Sequence, residues 1–127
     1  IFFDNVDYSI IPEFYAIADV GVIPSLCLEA FGLVVVEFLA SSVPVIASDV
    51  GAMREIIDLE NKSGILVENN DNFINNLTRS MNTFLAMDPK TLNYYKKNSI
   101  INSKKFSKDK YIKNFLTIIE RISNEEN

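Results

Sequence analysis

The chain has 127 residues, 48% of them hydrophobic, and a formal net charge of −5, which suits one domain-sized chain with a single core. With no histidine, a Ser-His-Asp triad and His-ligated metal are excluded within these residues; the lone cysteine, Cys27, cannot form an internal disulfide, which fits a reducing compartment. No apolar run approaches the roughly 18 residues of a membrane span, and the start, Ile1-Phe2-Phe3-Asp4, reads as a cut inside a longer chain and not as a signal peptide.

In chain order, Ile1-Phe2-Phe3 predicts a short buried strand ended by Asp4-Asn5. Ser9 is the expected cap of a helix over residues 10–18, with Pro12 tolerated in the first turn. Ile10, Phe14 and Ile17 share one face of that helix, with Ile11 and Tyr15 beside it. Val20-Gly21-Val22-Ile23 predicts a second strand, closed by Pro24, and residues 24–30 a loop. Residues 32–41 are ambiguous: Leu33-Val34-Val35-Val36 suits a strand by propensity, whereas the length and the fresh strand after Pro44 favour a buried helix. Val45-Ile46-Ala47-Ser48 follows as a strand, Gly51 as a tight turn, residues 53–57 as a short helix and Gly64-Ile65-Leu66-Val67 as a fourth strand.

Helices alone are expected after that. Asp71 should cap one with Phe73, Leu77, Met81 and Phe84 at helical spacing. Asp88-Pro89 should start another, with proline at the first helical position. Ser107 should cap a last helix, whose stripe of Tyr111, Phe115, Ile118 and Ile122 reads as core; residues 124–127 should fray. Strands alternating with helices imply an α/β domain over residues 1–127, a doubly wound parallel sheet followed by C-terminal helices. Ligands of such sheets bind beyond the carboxyl ends of the strands, the edge where residues 24–31 and 49–53 lie.

Two carboxylates stand in the most apolar part of the chain, Glu29 and Glu37, with Phe31-Gly32 between them. Burying a carboxylate costs several kcal/mol unless it has a partner or an opening. A helix starting near Gly32 would aim its free N–H groups and positive dipole end into the ligand crevice, a place for phosphate or pyrophosphate that glycine lets approach closely. Glu37, about one and a half turns on, is placed to accept from two ribose hydroxyls, and Glu29 to hold hydroxyls of a sugar attached to the diphosphate. The blander alternatives are a Glu37 paired with a Lys or Arg and a Glu29 that is a solvated loop acid. Cys27, with no base near it in sequence, reads as a small buried filler.

Charge is uneven: residues 1–71 hold 12 acids and 2 bases, and residues 72–127 hold 10 bases and 5 acids. Lys96, Lys97, Lys104, Lys105, Lys108, Lys110 and Lys113 read as a solvated face, with contact to an anionic membrane surface as the alternative. No nucleic-acid-binding motif accompanies them.

Ala18-Asp19-Val20, Pro24-Ser25, the two glutamates with seven residues between them around Phe31-Gly32-Leu33, then Pro44-Val45-Ile46-Ala47-Ser48, Gly51, Glu55 and Gly64-Ile65-Leu66-Val67 together form a specific pattern. It resembles the C-terminal, donor-binding half of GT-B glycosyltransferases, glycosyltransferase family 4 in particular, over residues 1 to about 120. The resemblance implies a Rossmann-like half of a GT-B fold, with the acceptor-binding N-terminal domain absent along with the basic Arg and Lys pair that neutralises the leaving diphosphate. It implies a nucleoside-diphosphate sugar donor, transfer to an acceptor hydroxyl with retention, and no metal or other cofactor. Glu29 is implied at the reacting centre, Glu37 on the ribose, backbone groups of Phe31, Gly32 and Leu33 on donor sugar and diphosphate, and Ser25 as the crevice serine. The acceptor would be a glycan, a lipid-linked molecule or a protein, and the location cytoplasmic or peripheral at the inner membrane surface. These residues alone are expected to bind nucleotide weakly and transfer nothing. The family often has glycine at Asn5, Ser42 and Ala52; the last two read as packing changes, and Asn5 bears on base preference. A non-catalytic nucleotide-sugar-binding module and a GT-B-fold epimerase or phosphorylase are the competing classes.

Overall fold

The structure, a computed structural model, describes residues 1–125. Three parallel strands form its sheet in the order β1 (Gly21–Ile23), β2 (Val45–Ser48), β3 (Gly64–Val67). Gly21 pairs with Val45, and Val45 with Gly64. All four residues of the central strand are buried, as an apolar run covered on both faces requires. Its alternation divides the core. Val45 and Ala47 face α2 (Leu33–Ala40) and α3 (Met53–Ile56), meeting Val35, Leu39, Met53 and Ile56. Ile46 faces the other way, toward Val67, Phe84 of α4 (Phe73–Leu85), and Leu92 and Tyr95 of α5 (Pro89–Ser103). Helices on both faces of a parallel sheet are the arrangement expected from the alternating pattern.

The ambiguous segment 32–41 is a helix. Val35 and Leu39, four apart, are its fully buried pair. It ends in a Schellman motif: the Ser42 N–H bonds the Leu39 carbonyl at 3.1 Å and the Val43 N–H the Phe38 carbonyl at 2.9 Å. Ser42 therefore stands in left-handed backbone, φ 62°, as does Asn5 at 53°. At Ser42 the departure from glycine is thus conformational and not a packing change, which corrects the sequence reading; Ala52, at φ −78°, carries no such demand. The Ser42 hydroxyl donates to the Lys96 carbonyl at 2.9 Å, tying α2 to α5.

Several expectations fail for identifiable reasons. Ile1-Phe2-Phe3 is not a buried strand: all three are exposed, and only the Phe3 ring finds a partner, edge-on to Phe14 at 4.8 Å. The cap at the next element is Asp7, whose carboxylate accepts from the Ser9 N–H at 2.8 Å. A 3-10 turn (Tyr8–Ile10) precedes α1 (Ile11–Ala16), and its tighter winding rotates the buried face. Ile11, Phe14 and Tyr15 turn inward while Ile10 and Ile17 stay exposed. Asp71 caps nothing; Asn70 makes that turn, accepting from the Asn72 and Phe73 N–H groups at 2.9 and 2.8 Å. Asp88 does cap α5, bonding the Lys90 and Thr91 N–H groups. Ser107 opens α6 (Lys108–Glu125), its carbonyl accepting from the Tyr111 N–H at 3.0 Å. The α6 stripe of Tyr111, Phe115, Ile118 and Ile122 is not core; each is at least 51% exposed. Residues 124 and 125 continue α6 instead of fraying, and the same expectation for residues 126 and 127 lies outside the described residues. Among the described residues no helix is long and apolar enough to cross a membrane.

At the far end of α5, buried Asn102 donates through Nδ2 to the Ile56 carbonyl at 2.6 Å and to Ser63 Oγ at 3.1 Å. Replacing it with alanine takes the donor from the Ile56 carbonyl, while Ser63 Oγ keeps the Asp58 N–H at 2.9 Å, so Asn102→Ala should cost about 1–3 kcal/mol in urea unfolding. Ser42 offers a finer comparison. Ser42→Ala keeps the left-handed strain and loses the bond to Lys96, about 1 kcal/mol. Ser42→Gly loses the same bond but relieves a strain of about 1–2 kcal/mol, and should unfold at or slightly above the parent midpoint.

Candidate functional site

The chain leaves β1 at Pro24 and reaches α2 at Gly32 through a loop with little apolar support of its own; Leu26, Cys27 and Leu28 are all exposed. Cys27 is therefore no buried filler. Two contacts hold the loop. The Ser25 hydroxyl donates to Glu29 Oε1 at 3.0 Å, and the Glu29 carbonyl accepts from the Ala52 N–H at 3.1 Å. The second contact depends on Gly51, in left-handed backbone at φ +56°, where an added Cβ would collide with the Glu29 backbone. The β2–α3 turn thus serves as the seat of the Glu29 loop.

Gly32 opens α2 at φ +74°, packed so closely on the Met53 side chain that a Cβ would overlap it. Its carbonyl accepts from the Val35 and Val36 N–H groups at 3.0 and 3.3 Å, and no side chain caps the helix. The helix start is therefore free of protein oxygen, a requirement for an anion to use its N–H groups and dipole. Glu29, Phe31, Gly32 and Leu33 line a hollow of about 360 Å³ there, with Ile23 and Met53 among its other walls. Phe31 is held edge-on against Phe106 at 6.2 Å, a partner contributed by the turn before α6.

Glu37 stands elsewhere. One turn further along α2, it lines a second hollow of about 240 Å³ with Tyr8, Ile11, Pro12 and Tyr15. Among the described residues its carboxylate pairs with no Lys or Arg but takes two phenols: Tyr15 donates to Oε2 at 2.9 Å and Tyr8 to Oε1 at 3.3 Å. Burial, reinforced by the hydrogen bond to Glu37 and by its charge, pushes the Tyr15 hydroxyl up to about 12, so it remains a donor throughout the neutral range. Ser25, Glu29, Phe31, Gly32 and Leu33 are thus brought together at the start of α2, with Glu37 in the neighbouring hollow. The two tyrosines are the residues that sequence reasoning missed. The available signal was Tyr15 on a helix face turned to the core, since a buried phenol needs an acceptor. Gly51 stands at the ligand edge in the sequence reading but not as the seat of Glu29, and Phe106 is not placed at the site at all, because each acts across a distance in the chain.

Outside the hollows, Arg54 pairs with Asp49 beside β2. Glu55 is exposed on α3. Among the described residues no group of three or more His, Cys, Asp or Glu is placed to hold a metal ion.

Residues 1–99 match the family model for group 1 glycosyl transferases. D-inositol 3-phosphate glycosyltransferase of Geodermatophilus obscurus is 41% identical over 70 residues, 55% of this chain and 15% of that protein. An uncharacterized glycosyltransferase of Methanocaldococcus jannaschii is 42% identical over 60 residues, 47% of this chain and 15% of that protein. Among solved structures, sucrose-phosphate synthase from Thermosynechococcus elongatus superposes with a TM-score of 0.78 at 29% identity, over 100% of this chain and 31% of that one. The chain therefore spans about 15% of the length of these curated relatives.

The support of the loop by Gly51 is directly testable. Gly51→Ala should destabilise the fold by more than about 1 kcal/mol, since both φ and space oppose a side chain. Its NMR spectrum should show displaced amides over residues 25–31 and unchanged signals for Tyr8 and Tyr15. Displacement of the tyrosine signals instead would refute the seat assigned to Gly51.

Proposed function

The chain belongs to the group 1 glycosyltransferases, and on that premise we propose that it is the donor-binding part of such an enzyme, taking a nucleoside-diphosphate sugar. The observation that carries this reading is the uncapped start of α2, at the strand-end edge of the sheet, opening into the hollow that Glu29 shares. The diphosphate would lie against the N–H groups at Gly32 and Leu33, where the helix end offsets its charge. The transferred sugar would sit by Glu29, whose Oε1 Ser25 holds while the rest of the carboxylate stays available for sugar hydroxyls. The ribose would reach the second hollow, its hydroxyls donating to Glu37. Gly32 and Glu37 are five residues apart, about 7.5 Å along a helix axis, a separation that a diphosphate-linked ligand can bridge.

In the reaction this reading implies, an acceptor hydroxyl attacks the anomeric carbon, the bond to the diphosphate breaks, the hydroxyl proton passes to the departing diphosphate, and configuration is retained. Charge grows on the departing diphosphate, and the start of α2 stabilises it there as an oxyanion hole stabilises a developing oxyanion. The donor set here, two glutamates, a serine and backbone N–H groups, suits hydroxyls and phosphate oxygens directly, and the proposal includes no cofactor. The acceptor, a glycan, a lipid-linked molecule or a protein, would be bound by a separate acceptor domain. Residues 1–127 alone would bind nucleotide weakly and transfer nothing.

Titrating the protein with UDP, GDP and ADP while following amide shifts tests the assignment. At least one nucleotide should perturb residues 29–37, and Glu37→Ala should weaken that binding about tenfold or more, the worth of hydrogen bonds to a charged acceptor. If none of the three perturbs this stretch, the reading is wrong.

A further inference from the structure

The two phenols on Glu37 differ in every respect that decides which can be replaced. Tyr15 makes the shorter bond, 2.9 Å against 3.3 Å, and its ring is half-buried against Phe38, with centroids 4.3 Å apart. It sits on the inward face of α1, packed on α2. Tyr8 is 75% exposed and belongs to the 3-10 turn. That turn is closed locally by Asp7, which accepts from both the Ser9 N–H and the Ser9 hydroxyl, so it does not depend on the Tyr8 side chain. Moving Tyr15 would therefore disturb packing between α1 and α2, whereas moving Tyr8 breaks one long bond at the surface.

A carboxylate offers about four lone-pair positions and only accepts. Each oxygen of the Glu37 carboxylate carries one phenol, and among the described residues it forms no ion pair with Lys or Arg. The remaining walls of its hollow are chiefly apolar, Ile11, Pro12 and Ala40 among them. A ligand hydroxyl entering there meets one strong acceptor, already shared with a phenol of the same donor chemistry. Exchange of one O–H donor for another on Oε1 conserves the count of hydrogen bonds.

We propose that Tyr15 is a positioning residue that fixes the Glu37 carboxylate, and that Tyr8 is its displaceable cover, whose hydroxyl gives way on Oε1 to a hydroxyl of the bound ligand. The inference rests on the donor-site reading above and adds to it an order of events: Tyr15 stays, Tyr8 leaves. It also assigns Tyr8 a role in selectivity, because a ligand lacking the hydroxyl has nothing to replace the Tyr8 donor with.

The test uses tyrosine labelled with 13C at Cζ, a nucleus sensitive to hydrogen bonding at the hydroxyl, and whichever of UDP, GDP and ADP binds the parent protein. Saturating nucleotide should shift the Tyr8 signal and leave the Tyr15 signal in place. Tyr8→Phe should bind about two- to threefold more tightly, since a weak competing bond is removed, and Tyr15→Phe about tenfold more weakly. In a Glu37→Gln background, Tyr15→Phe should change affinity little, because its effect runs through the carboxylate; an undiminished effect there would mean Tyr15 acts by packing and would overturn its assignment. Binding with Tyr15 shifted and Tyr8 unmoved would overturn the order of events. Failure of the parent protein to bind any of the three nucleotides is a different result, which refutes the donor site itself and this inference with it.

Discussion

Everything at the site depends on where α2 begins and ends. Its buried pair, Val35 and Leu39, packs against Val45 and Ala47 of the central strand, and so fixes the rotation of the helix about its axis. Left-handed residues bracket it, Gly32 before and Ser42 after, so the chain turns sharply at both ends and the helix cannot slide by a residue without moving a non-helical conformation into its body. With rotation and register set, position decides role. The residues before the helix face the strand-end hollow, and Glu37, two residues after Val35 and two before Leu39, must leave the core sideways toward α1. The apolar neighbours that make Glu37 look misplaced in the sequence are thus the residues that orient it.

The structure resolves the cost of that placement without a cation. An ion pair would have held the carboxylate, but a Lys or Arg would also have competed with any ligand for its charge, and breaking a buried pair is expensive. Phenols stabilise the anion by hydrogen bonds alone. Glu29 is treated in a similar way, with Ser25 as a neutral donor. Cations are instead used at the periphery, where Lys96 meets Asp19 and Lys105 meets Asp58, each at 2.8 Å. These pairs fold the basic C-terminal third back onto the acidic part of the chain, so two of the lysines that read as a solvated face have acidic partners. The Lys105 ammonium and the Asn61 donors hold the Asp58 carboxyl well below its usual range.

How much was legible follows from the range over which each feature is determined. The strands Gly21–Ile23, Val45–Ser48 and Gly64–Val67 carry their signal in a few contiguous apolar residues and turn punctuation, and all three form. Asp88 with Pro89 is likewise a local signal, and it caps as expected. Ile1-Phe2-Phe3 has the composition of a strand, but a strand exists only with a neighbour to pair with, and none of the three strands of the sheet takes it up. Periodicity in α6 correctly puts Tyr111, Phe115, Ile118 and Ile122 on one stripe, yet it cannot say whether anything lies against that stripe. Around Glu37 the limit is of the same kind. A carboxylate in an apolar run announces that a partner is required, and only the fold says that the partners come from residues 8 and 15.

The two glutamates also turn out to be supported independently. Glu29 rests on Ser25 within its own loop and on the Gly51–Ala52 turn after β2. Glu37 rests on the elements before β1, through Tyr8 and Tyr15. The supporting contacts share no residue, and what joins them is α2, whose rotation is set by the core and not by either support. Perturbations confined to one set should therefore add to those in the other, as holds for sites without common partners. A change in the core face of α2, at Val35 or Leu39, should instead move both carboxylates at once. Seven residues between two glutamates is thus a geometric statement about one helix and the turn that opens it: the spacing puts a single rigid element between two separately held acceptors, so a ligand touching both is measured against a length the core has already fixed.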